Sequence, residues 1–313
     1  MVRCILLAAV LAGGCATEAE PDCDACRPRP PSTVFLTDRG GNAILRYDGV
    51  TGQFEDVFAA GMDARIDRPA SVRLGPSGYL YLAGFGRGDV VRYDLVSGAM
   101  TDVFYWDTTL LEEPVELMFR GDELIVLGND TQNAVVIGED GRATRSFGYP
   151  DMRGALDMVL SPDESTLYVA TNTHPQHGSA LQVWDAASGT LVRHFAPPSE
   201  LASATSVALG ADGLLYVCDW ERSQILRFDP DTGVLVNTVV DSASGLLDTP
   251  VAIDFGPDGA LYALDRIGLH RLDPDTGREL SLLISVGDGR NERPMSFTFA
   301  TQTAVAAAIA RTR

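Results

Sequence analysis

The sequence predicts an all-β fold, a six-bladed β-propeller of four-stranded blades closed by pairing the C-terminal strand with the N-terminal blade. Three observations carry this expectation. An opening segment recurs with its anchor at Pro69, Pro114, Ala155, Ala204, Pro250 and Pro294, at intervals of 41 to 49 residues, the period of a propeller blade. A second segment recurs downstream: ILRYDGVTG from Ile44, VVRYDLVSG from Val90, LQVWDAASG from Leu181, ILRFDPDTG from Ile225 and LHRLDPDTG from Leu269. The two ends are also complementary. The first set, Val34 to Phe58, lacks an opening strand, and the last opening strand, Arg293 to Phe299, lacks the rest of its blade.

Each element follows in order along the unit. The opening strand places apolar residues one, three and five positions after the anchor, as in Val115, Leu117 and Phe119 or Val251, Ile253 and Phe255. Period-two alternation predicts that these share one side and pack between blades. A turn of the GPDG type leads into the second strand, of the LLYVC type around Cys218, which is expected to be buried. The third strand runs into an Asp…Gly hairpin, where glycine supplies positive φ and aspartate accepts backbone N–H groups. A fourth strand of the type Val234 to Val240 completes the blade, and unit three deviates with the shorter VVIGEDG from Val135. The tail Ala304 to Ile309 (AVAAAI) aligns with the second strand of a further blade, and is expected as a short extra strand or frayed end. Seven blades is the alternative.

Ahead of the blades the chain reads as an address and a tether. Residues 1–14 offer a positive Arg3, an apolar Ile5 to Leu11 and a small-residue site at Leu11-Ala12-Gly13-Gly14, the layout of a signal peptide. A cysteine directly after that site resembles the bacterial lipoprotein signal, which implies lipidation of Cys15. Ala12 stands where the strict pattern has leucine, and an ordinary secretory signal is the alternative. The resemblance adds that Ala16 is not the aspartate of inner-membrane retention. The expected location is therefore the bacterial cell envelope, at the outer membrane through a lipid anchor, or else secreted or periplasmic. Residues 15–32 are proline-rich and without apolar periodicity, a tether to a propeller over 33–313. Cys23 and Cys26 form a CxxC in that tether, a possible disulfide outside the cytosol.

Charge excludes one class of partner. With 24 basic and 43 acidic residues the formal charge is −19, which repels phosphate backbones, so no nucleic-acid partner is expected. No internal apolar run reaches the ~18 residues of a membrane span, so contact with a membrane is expected through the lipid anchor only.

The pattern P-x-x-h-x-h-G-P-D-G-x-L-Y-x-x-D followed by I-L-R-F-D-P-x-T-G resembles NHL-type repeats and the wider group of gluconolactonase/regucalcin-like and streptogramin-lyase-like propellers, over Val34 to Phe299. That resemblance implies the architecture, and a function among hydrolases, lyases and binding platforms. In a propeller the opening strand lies nearest the axis, so the residues two after the anchors (Ser71, Glu116, Asp157, Ser206, Ala252, Ser296) are expected to border the central channel. Glu116 and Asp157, on adjacent blades, are the candidate ligands for a divalent cation such as calcium. Solvation of the channel, with each acid bound to a neighbouring backbone N–H, is the simpler account. Gluconolactonase-like enzymes hold metal partly with acids just after the anchor, whereas this chain has Ala70, Val115, Leu156, Thr205, Val251 and Met295 there. Lyase-like members use histidine, and His174, His177, His194 and His270 show no convergence.

Asp38, Asn129, Asn172, Asp219 and Asp265 end second strands, where turn capping is expected ahead of a ligand ring. Arg46, Arg92, Arg227 and Arg271 recur in third strands and are expected to pair with those aspartates. Gly84 to Gly88 reads as an exposed loop, and Tyr105, Trp106 and Trp220 are aromatics available to a sugar or peptide. No nucleophile elbow, P-loop or dinucleotide fingerprint is present. The resulting expectation assigns no catalytic residue and requires no cofactor: a non-catalytic envelope lipoprotein whose propeller is a scaffold for a protein or glycan. The alternative is a metal-dependent hydrolase or lyase of gluconolactonase-like type.

Overall fold

A computed structural model describes residues 32–174, 178–195, 201–287 and 291–311. Six antiparallel four-stranded sheets form the blades of a β-propeller, as the repeat spacing predicts. Blade 1 joins the chain ends, with Pro294–Thr301 as its innermost strand beside Ser32–Asp38, then Ala43–Asp48 and Phe54–Ala60. Blades 2 to 6 each use consecutive strands, over residues 69–106, 114–147, 155–195, 204–240 and 252–285. The first strand opens at Ser32, the residue expected to end the tether, because Ser32 pairs with Thr301 and its carbonyl accepts from Gly49. The signal, Cys15, Cys23 and Cys26 lie outside the described residues.

The core is divided rather than central. Six apolar clusters each fill one interface between neighbouring blades. The blade 6–1 cluster joins Tyr262 to Phe297 and Phe299, with the Tyr262 and Phe299 rings edge-on at 4.8 Å. Cys218 is buried in the blade 5–6 cluster, as expected.

The opening strands correct one expectation. Val115 packs into the blade 3–4 cluster, whereas Leu117 and Phe119 pack into the blade 2–3 cluster. Val251 and the pair Ile253 and Phe255 divide in the same way. The cause is a register shift just after the anchor, for example between Pro114 and Glu116, repeated in blades 2, 4, 5 and 1. A bulge there breaks the strict alternation, so the residues one and two after the anchor both face the channel end.

The tail supplies a second correction. Gln302–Arg311 is an α-helix, and Ala308 and Val305 pack on the blade 1–2 cluster. Blade 1 already has its four strands, so an alanine-rich segment has no strand to pair with and takes the conformation its propensity favours.

The hairpins form as predicted. Asp48 and Asp94 accept backbone N–H groups at Thr51 and Ser97, and Gly52 and Gly98 sit at φ 74° and 71°. These glycines also touch the neighbouring blade: a Cβ on Gly52 would lie 1.6 Å from the Leu283 carbonyl oxygen. The third-strand arginines, however, do not pair with the second-strand aspartates. Arg46 and Arg92 bind Asp56 and Asp102, directly opposite on the fourth strand of the same blade, at 3.0 and 2.8 Å. Arg227 similarly reaches Asn237, and Arg271 reaches Asp258. Direct cross-strand neighbours are simply nearer.

Gly52→Ala is expected to cost clearly more stability than Gly213→Ala. Both have positive φ, a penalty of roughly 1–2 kcal/mol for alanine, but nothing lies within 4 Å of a Cβ at Gly213. Urea unfolding of the two variants checks this, and equal losses would remove the interblade contact from the explanation.

Candidate functional site

One mouth of the channel opens into a cavity of about 390 Å³. The recurring bulge builds its wall: Ala70, Val115, Leu156, Thr205, Val251 and Met295, the residues just after the anchors, all line it. Their apolar character gives the wall its chemistry. The rim comes from residues that follow second strands, including Arg39, Phe85, Asn129, Asn172 and Trp220. A common device holds the rim, since the backbone N–H groups of Arg39, Asn129, Asn172 and Trp220 donate to the carbonyls of Arg293, Glu113, Gly154 and Ser203. Phe85 belongs to blade 2 and Trp220 to blade 5, opposite members of a six-blade ring.

The floor is charged. Glu116, Asp157, Ser206, Ala252 and Ser296 line the cavity as the repeat arithmetic predicts, and Ser71 lies beneath, donating through Oγ to Glu116 Oε1 at 2.9 Å. Sequence reasoning missed two members, Arg73 and Asp254, each four residues after an anchor. Arg73 Nη2 lies 2.9 Å from Glu116 Oε1, and its Nη1 donates to the Phe297 carbonyl at 3.1 Å, so this side chain ties blades 1, 2 and 3 together. Its signal in the sequence is a lone cation inside an otherwise apolar opening strand.

Glu116 and Asp157 are brought together. Burial pushes both carboxyls above their ordinary range, with Arg73 pulling the other way, and for Glu116 the nearby Asp157 charge adds to the rise. Asp254 is raised by the same burial, again opposed by Arg73. Arg73 stays protonated: burial works against its charge, but the carboxylates of Glu116, Asp254 and Asp157 outweigh it.

The acids' lone pairs are largely used. Asp157 accepts from the Met158 N–H at 2.7 Å, the Val207 N–H at 3.0 Å and the Ser206 hydroxyl. Ser206 Oγ in turn accepts from the Ile253 N–H at 3.0 Å. A calcium ion needs about six to eight oxygen ligands. Here the acids' oxygens are bonded to the protein's own donors, and a guanidinium already supplies the positive charge, so the donor set does not fit that ion well. Among the described residues no group of three His, Cys, Asp or Glu is arranged to hold a metal.

The other candidates separate. Asp38, Asp219 and Asp265 cap turns: Asp38 accepts from the Gly41 and Arg293 N–H groups at 3.0 and 2.7 Å. Asp219 receives Ala202 and Ser203, and Asp265 receives Asp248 and Gly268. Asn129 and Asn172 instead face the cavity. His270 is buried between Asp265 and Glu279, at 3.1 and 2.8 Å; although burial opposes its charge, these two acids raise its pKa. His194 lies on the outer strand of blade 4, His174 ends the second strand of that blade, and His177 is outside the described residues. Tyr105 is buried, while Trp106 is exposed and stacks with Arg65 at 5.9 Å.

No protein-family model matches the chain, and no curated protein matches it. Solved structures do. A chain from a crystal structure of a nidogen/laminin complex superposes with a TM-score of 0.67 at 13% identity, covering 86% of this chain and 98% of that one. Selenomethionine-substituted virginiamycin B lyase from Staphylococcus aureus gives 0.54 at 15% identity, covering 73% of each chain. The likeness is one of fold. At these identities it carries no activity across.

Because the floor carboxyls have raised pKa values, the folded protein binds more protons than the unfolded chain above pH ~4, and stability should fall as pH rises. Glu116→Gln removes a large part of that dependence. Urea unfolding from pH 5 to 8 should give a flatter profile for the variant, and an unchanged slope would show that Glu116 is not the group responsible.

Proposed function

We propose that this protein is an exported, lipid-anchored propeller that binds a protein or glycan partner at the channel mouth without catalysing a reaction. The observation that carries the reading is a contrast within one cavity. Below, the acids are tied to Arg73, Ser71, Ser206 and backbone N–H groups, each a bond between blades or along a strand. Above, an aromatic and amide rim stands open over an apolar wall. Groups locked into holding blades together are poorly placed to exchange protons or ligands with a substrate. Concave apolar surface with a few fixed polar groups is what recognition uses. The similar chain from a nidogen/laminin complex supports a binding role, since that structure is of a protein assembly.

The competing reading places calcium or another divalent ion on Glu116 and Asp157 and gives the chain lactonase or lyase chemistry. Elemental analysis after exhaustive dialysis separates the two. The binding reading expects no stoichiometric divalent metal and no lactone hydrolysis above background. About one ion per chain, lost in the Glu116→Gln/Asp157→Asn variant together with turnover, would overturn it.

The anchor is tested independently. Cys15→Ser should release the protein from the membrane fraction to the soluble one, and unchanged membrane association would remove lipidation of Cys15 from the proposal.

A further inference from the structure

The rim holds a cluster of cations that the rest of the fold does not use. Arg39, Arg68 and Arg293 gather at the blade 1–2 side of the mouth, in a chain of net charge −19. Arg39 and Arg68 both lie over the Phe85 ring, at 4.5 and 5.2 Å from its centre. Arg39 donates its backbone N–H to the Arg293 carbonyl at 2.9 Å, which fixes those two residues side by side. Arginines elsewhere are paired, as Arg46, Arg65, Arg92 and Arg271 are with Asp56, Asp89, Asp102 and Asp258. None of these three makes an ion pair with a described carboxylate, and Arg39 Nε is buried with no hydrogen-bond partner. Glu113 is near enough to favour the Arg39 charge, but it accepts its hydrogen bond from the Asn129 amide at 3.0 Å. Burial, followed by the charges of Arg293 and Arg68, lowers the Arg39 pKa, so the cluster is assembled against its own repulsion.

Backbone geometry reinforces the point. Arg68 has φ 48°, the left-handed region, immediately before Pro69. That conformation is costly for a non-glycine residue, and here it belongs to a residue standing exposed at the mouth.

Unpaired guanidinium groups over a concave surface match a planar, bidentate anion. The rest of the lining narrows the class. Phe85 and Trp220 offer ring faces from opposite blades, suited to the apolar face of a sugar ring. Asn129, Asn172 and Thr205 offer amide and hydroxyl groups to sugar hydroxyls. The volume, about 390 Å³, lies within the range of small-molecule sites.

We propose that the mouth is a recognition site for an acidic saccharide, a sugar unit bearing a carboxylate alongside its hydroxyl groups, with Arg39, Arg68 and Arg293 receiving the carboxylate. This deepens the binding-scaffold reading and rests on it, choosing an acidic glycan over a protein as the partner. Electrostatic focusing at this one spot lets an otherwise acidic protein take up an anion.

The test is isothermal titration of the full chain with methyl β-D-glucuronide, methyl β-D-glucoside, acetate and an acetylated Asp-Glu-Asp tripeptide amide. The glucuronide is expected to bind at least tenfold more tightly than the other three, and more weakly in 0.5 M NaCl. Arg68→Ala/Arg293→Ala should lower its affinity at least tenfold with an unchanged melting temperature, since both residues are exposed and their side chains hold no other element in place. Arg39→Ala should do the same. Equal binding of the glucoside, preference for the tripeptide, no binding of the glucuronide, or indifference to the arginine variants would each overturn the proposal. The scaffold reading fails separately, through stoichiometric metal with turnover. Cleavage of a bound glucuronide would end that reading while supporting recognition of the acidic sugar.

Discussion

Ring closure is the constraint on which the rest of this protein depends. The strand Pro294–Thr301 pairs along its length with Ser32–Asp38, across more than two hundred and fifty residues of chain. Because the apolar core is split among six interblade clusters, no blade has a core of its own, and each is stable only between two neighbours. An open ring would expose two cluster faces together with the unpaired edge of a strand. Phe297 and Phe299 carry the apolar share of closure against blade 6, and Thr37 carries a polar share, bonding to the carbonyls of Ala70 and Ser296.

The same closure creates the channel and dictates its chemistry. Six innermost strands converge with their bulged starts at one mouth, so residues that would alternate in a regular strand face the axis together. Buried acids there must find partners, and they find them mainly in adjoining blades: Ser71 for Glu116, Ser206 for Asp157, and Arg73 spanning blades 1 to 3. A polar girdle thus complements the apolar clusters. It is specific in direction where apolar contact is not, which makes it suited to fixing the order and spacing of blades. The cost is that Glu116 and Asp157 share a buried site with too little positive charge to neutralise all three floor acids.

The rim differs from the floor in being unsatisfied. Structural arginines on the outer strands sit opposite acids on the next strand, where the pairing stiffens a hairpin. The mouth arginines have no such neighbour and crowd around one phenylalanine. A fold has no stabilising reason to gather like charges, and a site for an anion does.

Much of this was legible in the sequence. The anchors, the Asp…Gly hairpins and the complementary ends defined six blades, because repeated units must solve the same local problem with the same residues. Glu116 and Asp157 were placed at the channel by counting from the anchors alone. Counting failed where tertiary contact overrode local period. The bulge turned Val115 and Val251 away from the side that alternation assigns them, and the tail became a helix because no strand was left to receive it. Arg73 was missed because no other blade carries arginine at its position, so repetition could not mark it. The mouth cluster was out of reach for a deeper reason. Arg39 and Arg293 stand 254 positions apart and meet only because the last strand enters the first blade, so the sequence by itself determined the blades and their spacing, while which side chains share the mouth was decided by closure in three dimensions.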